Sequence, residues 1–244
     1  MPSDPPPRAA VVTGAPRFAL VTGAGSGIGR ACAAAFAEDG HRVTLVGRRL
    51  ALLEAAAAAL PGALAVAADL STDAGVGIVA AAAPERLDVL VHAAGAFRYG
   101  PLAEMPTAAW RALDAVNLHG PFALTARCLP ALRRAGGTVV FVNSTAALRG
   151  GTNAGAYAAG KSALKAAADV LRQEVGPLGI RVLSIFPGRT NTPMQDEVLA
   201  AENRTADRSA LLDPADVAAM ILAALRLPRR AEVTDITVRP AQPV

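Results

Sequence analysis

Short runs of Val, Leu and Ile recur along this 244-residue chain, separated by Ala- and Leu-rich stretches. The runs read as strands at 18–22, 42–46, 63–67, 87–92, 138–143, 180–186 and 232–238. The stretches between them read as helices at about 28–39, 49–60, 73–83, 107–134, 154–176 and 213–226. Alternation at this spacing predicts βαβ units and a parallel sheet. Most central runs lack polar alternation, as expected of strands covered by helices on both faces. The expected fold class is α/β, a doubly wound parallel sheet in one domain spanning residues 17–244.

Composition sharpens this picture in a few places. Apolar residues make up 52% of the chain and aromatic residues only 4%, so the core must be mostly aliphatic. Residues 1–10 hold four prolines, which remove donors and fix φ, so residues 1–16 are expected to be a disordered or flanking tail. The formal charge is +4, carried almost entirely by scattered Arg; the only lysines are Lys161 and Lys165. No basic run appears, so no nucleic-acid partner is expected. No long apolar run suggests a membrane span, and residues 1–10 lack the apolar segment of a secretory leader. Cys32 and Cys128 sit in apolar helical patterns and read as small hydrophobes. No metal site is expected, and the cytoplasm is the expected location.

Residues 10–30, AVVTGAPRFALVTGAGSGIGR, hold two similar strand-to-glycine runs. After Gly14 no helix follows, so that copy offers no helix N-terminus to an anion. After Gly23 come Ala24-Gly25-Ser26-Gly27-Ile28-Gly29 and then an Ala-rich helix. Glycines permit close backbone approach, and a helix N-terminus presents free N–H groups to phosphate. The second copy is therefore the candidate phosphate cradle, with a tight βα turn as the plainer reading. The next strand ends Val46-Gly47-Arg48-Arg49, where a dinucleotide fold often places a carboxylate on the ribose. Two guanidiniums there favour an extra phosphate, hence NADP over NAD, unless they merely begin a solvent-facing helix.

Tyr157 and Lys161 stand four apart in a helical stretch and share one face. A cation at about 4 Å and an effective dielectric near 20 contributes about 4 kcal/mol, enough to bring a phenol from near 10 towards neutrality. Ser144 ends an apolar strand, where open α/β sheets place ligands; a turn serine is the alternative. Asn117 falls inside a helical stretch, where Asn is disfavoured, and needs partners if buried.

Together, the glycine turn at 22–29, Asn117, Ser144 and Tyr157-x-x-x-Lys161 resemble the compact branch of the short-chain dehydrogenase/reductase family from about 18 to 226. The resemblance implies a seven-stranded Rossmann-like sheet and hydride transfer between a nicotinamide and a carbonyl or alcohol carbon. It implies that Tyr157 donates or accepts the proton and that Lys161 lowers its pKa and holds the nicotinamide ribose. It gives Ser144 the substrate oxygen and Asn117 a relay water. Gly23, Ser26, Gly27, Ile28 and Gly29 then cradle phosphate, with Arg48 and Arg49 beside the adenosine. Asp69 and Leu70 meet the adenine, Ala94 and Gly95 line the cofactor, and Pro187, Gly188, Thr190 and Thr192 hold the nicotinamide amide and phosphates. The chain departs from the family's Asn-Asn-Ala-Gly with His92-Ala93-Ala94-Gly95, which removes bonds that steady the sheet. His92 reads as a structural imidazole. Gly160 replaces the usual Ser or Thr before the lysine, which is expected to loosen that turn. Residues 193–213 are expected to form a mobile lid. The resemblance also implies a homodimer or homotetramer paired through the helices at 107–134 and 154–176. A redox-silent binding module and a lyase or isomerase are the alternative functions.

Overall fold

In the computed structural model, which describes residues 16–242, seven parallel strands form one sheet. They are β1 (Arg17–Thr22), β2 (His41–Gly47), β3 (Leu64–Ala67), β4 (Val89–His92), β5 (Thr138–Val142), β6 (Arg181–Pro187) and β7 (Asp235–Val238). Their spatial order is β3-β2-β1-β4-β5-β6-β7. Eight α-helices are described: α1 (Gly27–Glu38), α2 (Leu50–Ala57), α3 (Asp73–Ala82), α4 (Thr107–Asp114), α5 (Gly120–Ala135), α6 (Gly155–Val175), α7 (Pro193–Ala201) and α8 (Pro214–Leu225). The first Val-Thr-Gly-Ala copy, and the tail expected at 1–16 apart from Pro16, lie outside the described residues.

Alternation along β1 shows how the sheet is covered. Ala19 and Val21 join Phe36 of α1 and Ile221 of α8 in one core; Leu20 joins Leu124 of α5 and Leu164 of α6 in the other. Both faces exclude water, which explains the unbroken apolar strands. β7 starts later than expected. The carboxylate of Glu232 accepts from the Val182 N–H at 2.9 Å, so that residue bonds β6 through its side chain rather than the ladder.

The helix expected at 107–134 is not continuous. α4 and α5 are joined by a π-helical turn, Ala115–His119, closed by the Gly120 N–H on the Ala115 carbonyl. Pro121 explains it: proline has no N–H to offer the Asn117 carbonyl four residues earlier, and its ring crowds that carbonyl. Gly120 is needed here too, because a Cβ would lie 2.3 Å from the Leu70 carbonyl oxygen. Around Gly160, by contrast, α6 runs unbroken. The missing side chain lets α4 approach, since a Cβ would lie 3.0 Å from Asp114 Oδ1.

Strand order reverses between β1 and β4. Connections leave those two strands in opposite directions, which opens a crevice beyond their C-terminal ends. The site occupies that crevice.

Candidate active site

A cavity of about 590 Å³ runs from the glycine turn after β1 to the first turns of α6. Gly23 and Gly27 hold φ of +67° and +51°, a left-handed conformation in which side chains are strained. A Cβ on Gly29 would lie 2.3 Å from the Gly23 carbonyl oxygen. The turn therefore folds this tightly only with glycine. Ser26 occupies the N-cap of α1 without a side-chain capping bond, so the first N–H groups of that helix remain available at the cavity wall.

At the adenosine end expected from the sequence, Arg48 and Arg49 are exposed at the cavity lip. Among the described residues neither is paired with a carboxylate. Asp69 lines the wall beside Leu70. Its Oδ1 accepts from the Ser71 N–H and hydroxyl at 3.0 and 2.8 Å. Those bonds, with Arg48 nearby, hold the Asp69 carboxyl below its usual range.

The floor is the extension of β4. Thr22 Oγ1 accepts from the N–H groups of Ala93 and Ala94, each at 3.1 Å. Asn117 binds Ala96 twice: Oδ1 accepts from its N–H at 3.0 Å and Nδ2 donates to its carbonyl at 2.9 Å. The buried Asn117 amide is thus the partner of the floor, and its backbone belongs to the π-helical turn.

The far end gathers the titratable groups. Lys161 Nζ lies 5.9 Å from the centre of the Tyr157 ring and donates to the Val142 carbonyl at 2.9 Å. Burial lowers Lys161 to about 8. Enclosure pushes the Tyr157 phenol above its ordinary value, while a hydrogen bond with Ser144 pulls it down. The direction is therefore opposite to the expected shift towards neutrality: desolvation of the phenolate outweighs the hydrogen bond with Ser144. Ser144 also caps the 3₁₀ turn at Thr145–Ala147, its Oγ accepting from the Ala146 N–H at 3.1 Å.

Thr192 caps α7 and presses its methyl towards the glycine turn; a Cβ on Gly27 would lie 2.9 Å from it. Pro187, Gly188 and Thr190 do not line the cavity. Gly188 donates to the Val238 carbonyl at 2.7 Å, buried Thr190 donates to the Gly188 carbonyl at 3.0 Å, and the Thr190 carbonyl accepts from the Thr192 hydroxyl at 3.3 Å, so Gly188 and Thr190 stand behind Thr192. The segment expected as a lid at 193–213 begins with α7, which brings Met194 and Glu197 to the cavity.

Two participants escaped the sequence reading. Buried Asn143 donates to the Lys161 carbonyl at 3.1 Å and accepts from the Ser144 N–H at 2.9 Å, joining the serine and lysine backbones. Its place beside Ser144 at the end of an apolar strand was the available signal. Phe97 packs edge-on to Tyr157 with ring centres 5.1 Å apart, a contact no local pattern announces.

Residues 17–203 match the model of the short chain dehydrogenase family. The chain belongs to that family. An uncharacterized oxidoreductase of Staphylococcus aureus strain N315 is 30% identical over 230 residues, covering 92% of this chain and 97% of that protein. A 3-ketoacyl-(acyl-carrier-protein) reductase from Brucella melitensis, solved with NADH, superposes with a TM-score of 0.82 at 29% identity. That match covers 92% of this chain and 97% of the other. An alcohol dehydrogenase from the archaeon Thermococcus sibiricus, solved with 5-hydroxy-NADP, gives 0.84 at 25% identity over 93% and 99%. This short-chain dehydrogenase is an enzyme and an oxidoreductase, on a fold that binds a nicotinamide cofactor. The cavity fits such a group: the N-terminus of α1 and the glycine-rich turn line one end of it, and the trough continues to Tyr157.

Proposed function

We propose that this short-chain dehydrogenase uses NADP to interconvert a carbonyl compound and a secondary alcohol. The observation that carries this reading is the convergence of Tyr157, Lys161 and the glycine turn on one cavity. A bound nicotinamide supplies or accepts the hydride. Tyr157 gives the carbonyl oxygen its proton in reduction and takes it back in oxidation. Ser144, hydrogen-bonded to the phenol, orients that oxygen. Lys161 stabilises the phenolate as it forms and reaches the nicotinamide ribose hydroxyls. Asn117 holds the Ala96 backbone and the π-helical turn in place, and in this reading that turn supports a relay water.

The preference for NADP rests on Arg48 and Arg49. A charged ribose phosphate suits guanidiniums that no carboxylate among the described residues engages, and Arg grips phosphate bidentately. A charge-assisted bond contributes about 1.5–3 kcal/mol, so Arg48→Ala is expected to weaken NADPH binding about tenfold or more and leave NADH little changed. Equal effects on both cofactors would overturn the preference. We further propose a cytoplasmic homodimer or homotetramer, supported by two free buried cysteines and by the exposed apolar positions on α6.

The deciding experiment follows NADPH oxidation across a panel of aldehydes and ketones. Tyr157→Phe keeps the ring and removes the proton; turnover is expected to fall about 10²–10⁴-fold. Turnover equal to that of the parent protein would overturn the assignment.

A further inference from the structure

The four residues that end β4 and begin the cavity floor, His92-Ala93-Ala94-Gly95, offer no polar side chain except the imidazole. That ring is buried beneath the site and stacks on Phe141 with centres 5.1 Å apart and planes 15° apart. Its Nε2 lies 2.8 Å from Thr125 Oγ1, which lies 2.8 Å from the Pro121 carbonyl oxygen. A hydroxyl has one proton. Both contacts are hydrogen bonds only if Thr125 donates to Pro121 and the imidazole donates to Thr125. The ring then carries a proton on Nε2; among the described residues buried Nδ1 has no protein partner, so no acceptor meets a second proton there and the ring is neutral. Burial and the nearby Lys161 charge hold the ring at about 3, which agrees with neutrality.

These bonds close a loop around the floor. His92 is tied through Thr125 to the first turn of α5, at the residue that forces the π-helical turn. That turn carries Asn117, whose amide returns to Ala96, just beyond Gly95. There is no slack at Gly95, where a Cβ would lie 3.0 Å from Asn117 Oδ1.

We infer that His92 is a positioning residue for the cofactor: as the Nε2–H tautomer it locks the end of β4 to the π-helical turn and so fixes Ala94–Ala96 under the bound nicotinamide dinucleotide. The inference rests on the cofactor site proposed above. It assigns the imidazole a task that depends on one ring nitrogen, whereas filling space would not.

Two measurements test it on the full chain. Long-range ¹H–¹⁵N NMR at pH 7 should show one of the three histidines as a neutral Nε2–H tautomer, with its signals lost in His92→Gln. A glutamine amide reaches as far as Nε2, whereas an asparagine amide reaches only as far as Nδ1. His92→Asn and Thr125→Val are each expected to weaken NADPH binding about tenfold by titration, as loss of a buried hydrogen-bond partner implies. The double variant should lose no more than either single one, because the two residues share one bond. His92→Gln should stay within about twofold of the parent protein. An Nδ1–H or doubly protonated ring, additive losses, or equal behaviour of Asn and Gln would each overturn the inference. If the parent protein binds no nicotinamide cofactor, the proposed function fails while the tautomer spectrum still decides the bond.

Discussion

A lysine ammonium held among apolar atoms gives up its proton more readily than one in water, because burial disfavours the charged form. Lys161 is 4% exposed, with the Val142 carbonyl as its hydrogen-bond partner, and burial brings it to about 8. In the proposed reduction its charge is needed, both for the ribose and for the phenolate left when Tyr157 gives up its proton. Below about 8 the ammonium is intact; above it the charge is lost. Reductive kcat/KM is therefore expected to be flat at neutral pH and to fall as pH rises through about 8, read from a pH–rate profile. A limb at 10 or higher would mean that burial does not set it. At this scale the sequence announced the pair through its four-residue spacing. It could not announce the balance between charge and desolvation, because burial is created by residues far away in sequence. Asn143 and Phe97 were hidden for the same reason, each defined by its tertiary partners.

Elements were most legible where local chemistry alone dictates geometry. The glycine turn is such a case: its φ values and its close backbone contact belong to a few consecutive residues. Adding one methyl at Gly29 places it 2.3 Å from a backbone oxygen that cannot rotate away. Gly29→Ala is therefore expected to destabilise the protein by about 1–3 kcal/mol or more. For a chain of this size that lowers Tm by about 2–4 °C per kcal/mol in a thermal melt. An unchanged Tm with parental cofactor affinity would show that the turn can open without cost. The π-helical turn was less legible. Gly120-Pro121 stood inside the pattern as a visible break, but apolar periodicity continued on both sides of it. Periodicity reports which face is buried, and a single wider turn barely rotates that face. Only the missing proline N–H distinguishes a pause in the helix from its continuation.

For the whole molecule, strand–helix alternation was enough to foresee a parallel sheet with helices on both faces, since each apolar strand needs cover on two sides. Pairing order emerged only from the structure, because many orders satisfy the same alternation. What the alternation leaves over is the outer surface of α6. Along it Ala159, Ser162, Ala166 and Val170 are exposed at helical spacing, and Val170 is 54% exposed. Such a stripe, on a helix of 21 residues or about 30 Å, offers small side chains over which a second helix can pass closely. If copies of the chain pair there, light scattering should give two or four times 24.7 kDa. Stable association needs about 1,000 Å² or more of buried surface, so one charge placed in the middle of the stripe should disrupt it. Ala166→Arg and Val170→Glu are expected to give a 24.7 kDa monomer with the circular dichroism of the parent protein. A parent protein that is already monomeric at micromolar concentration would remove the oligomer from the proposed function. The cavity residues all come from this one chain, so the site would be left standing.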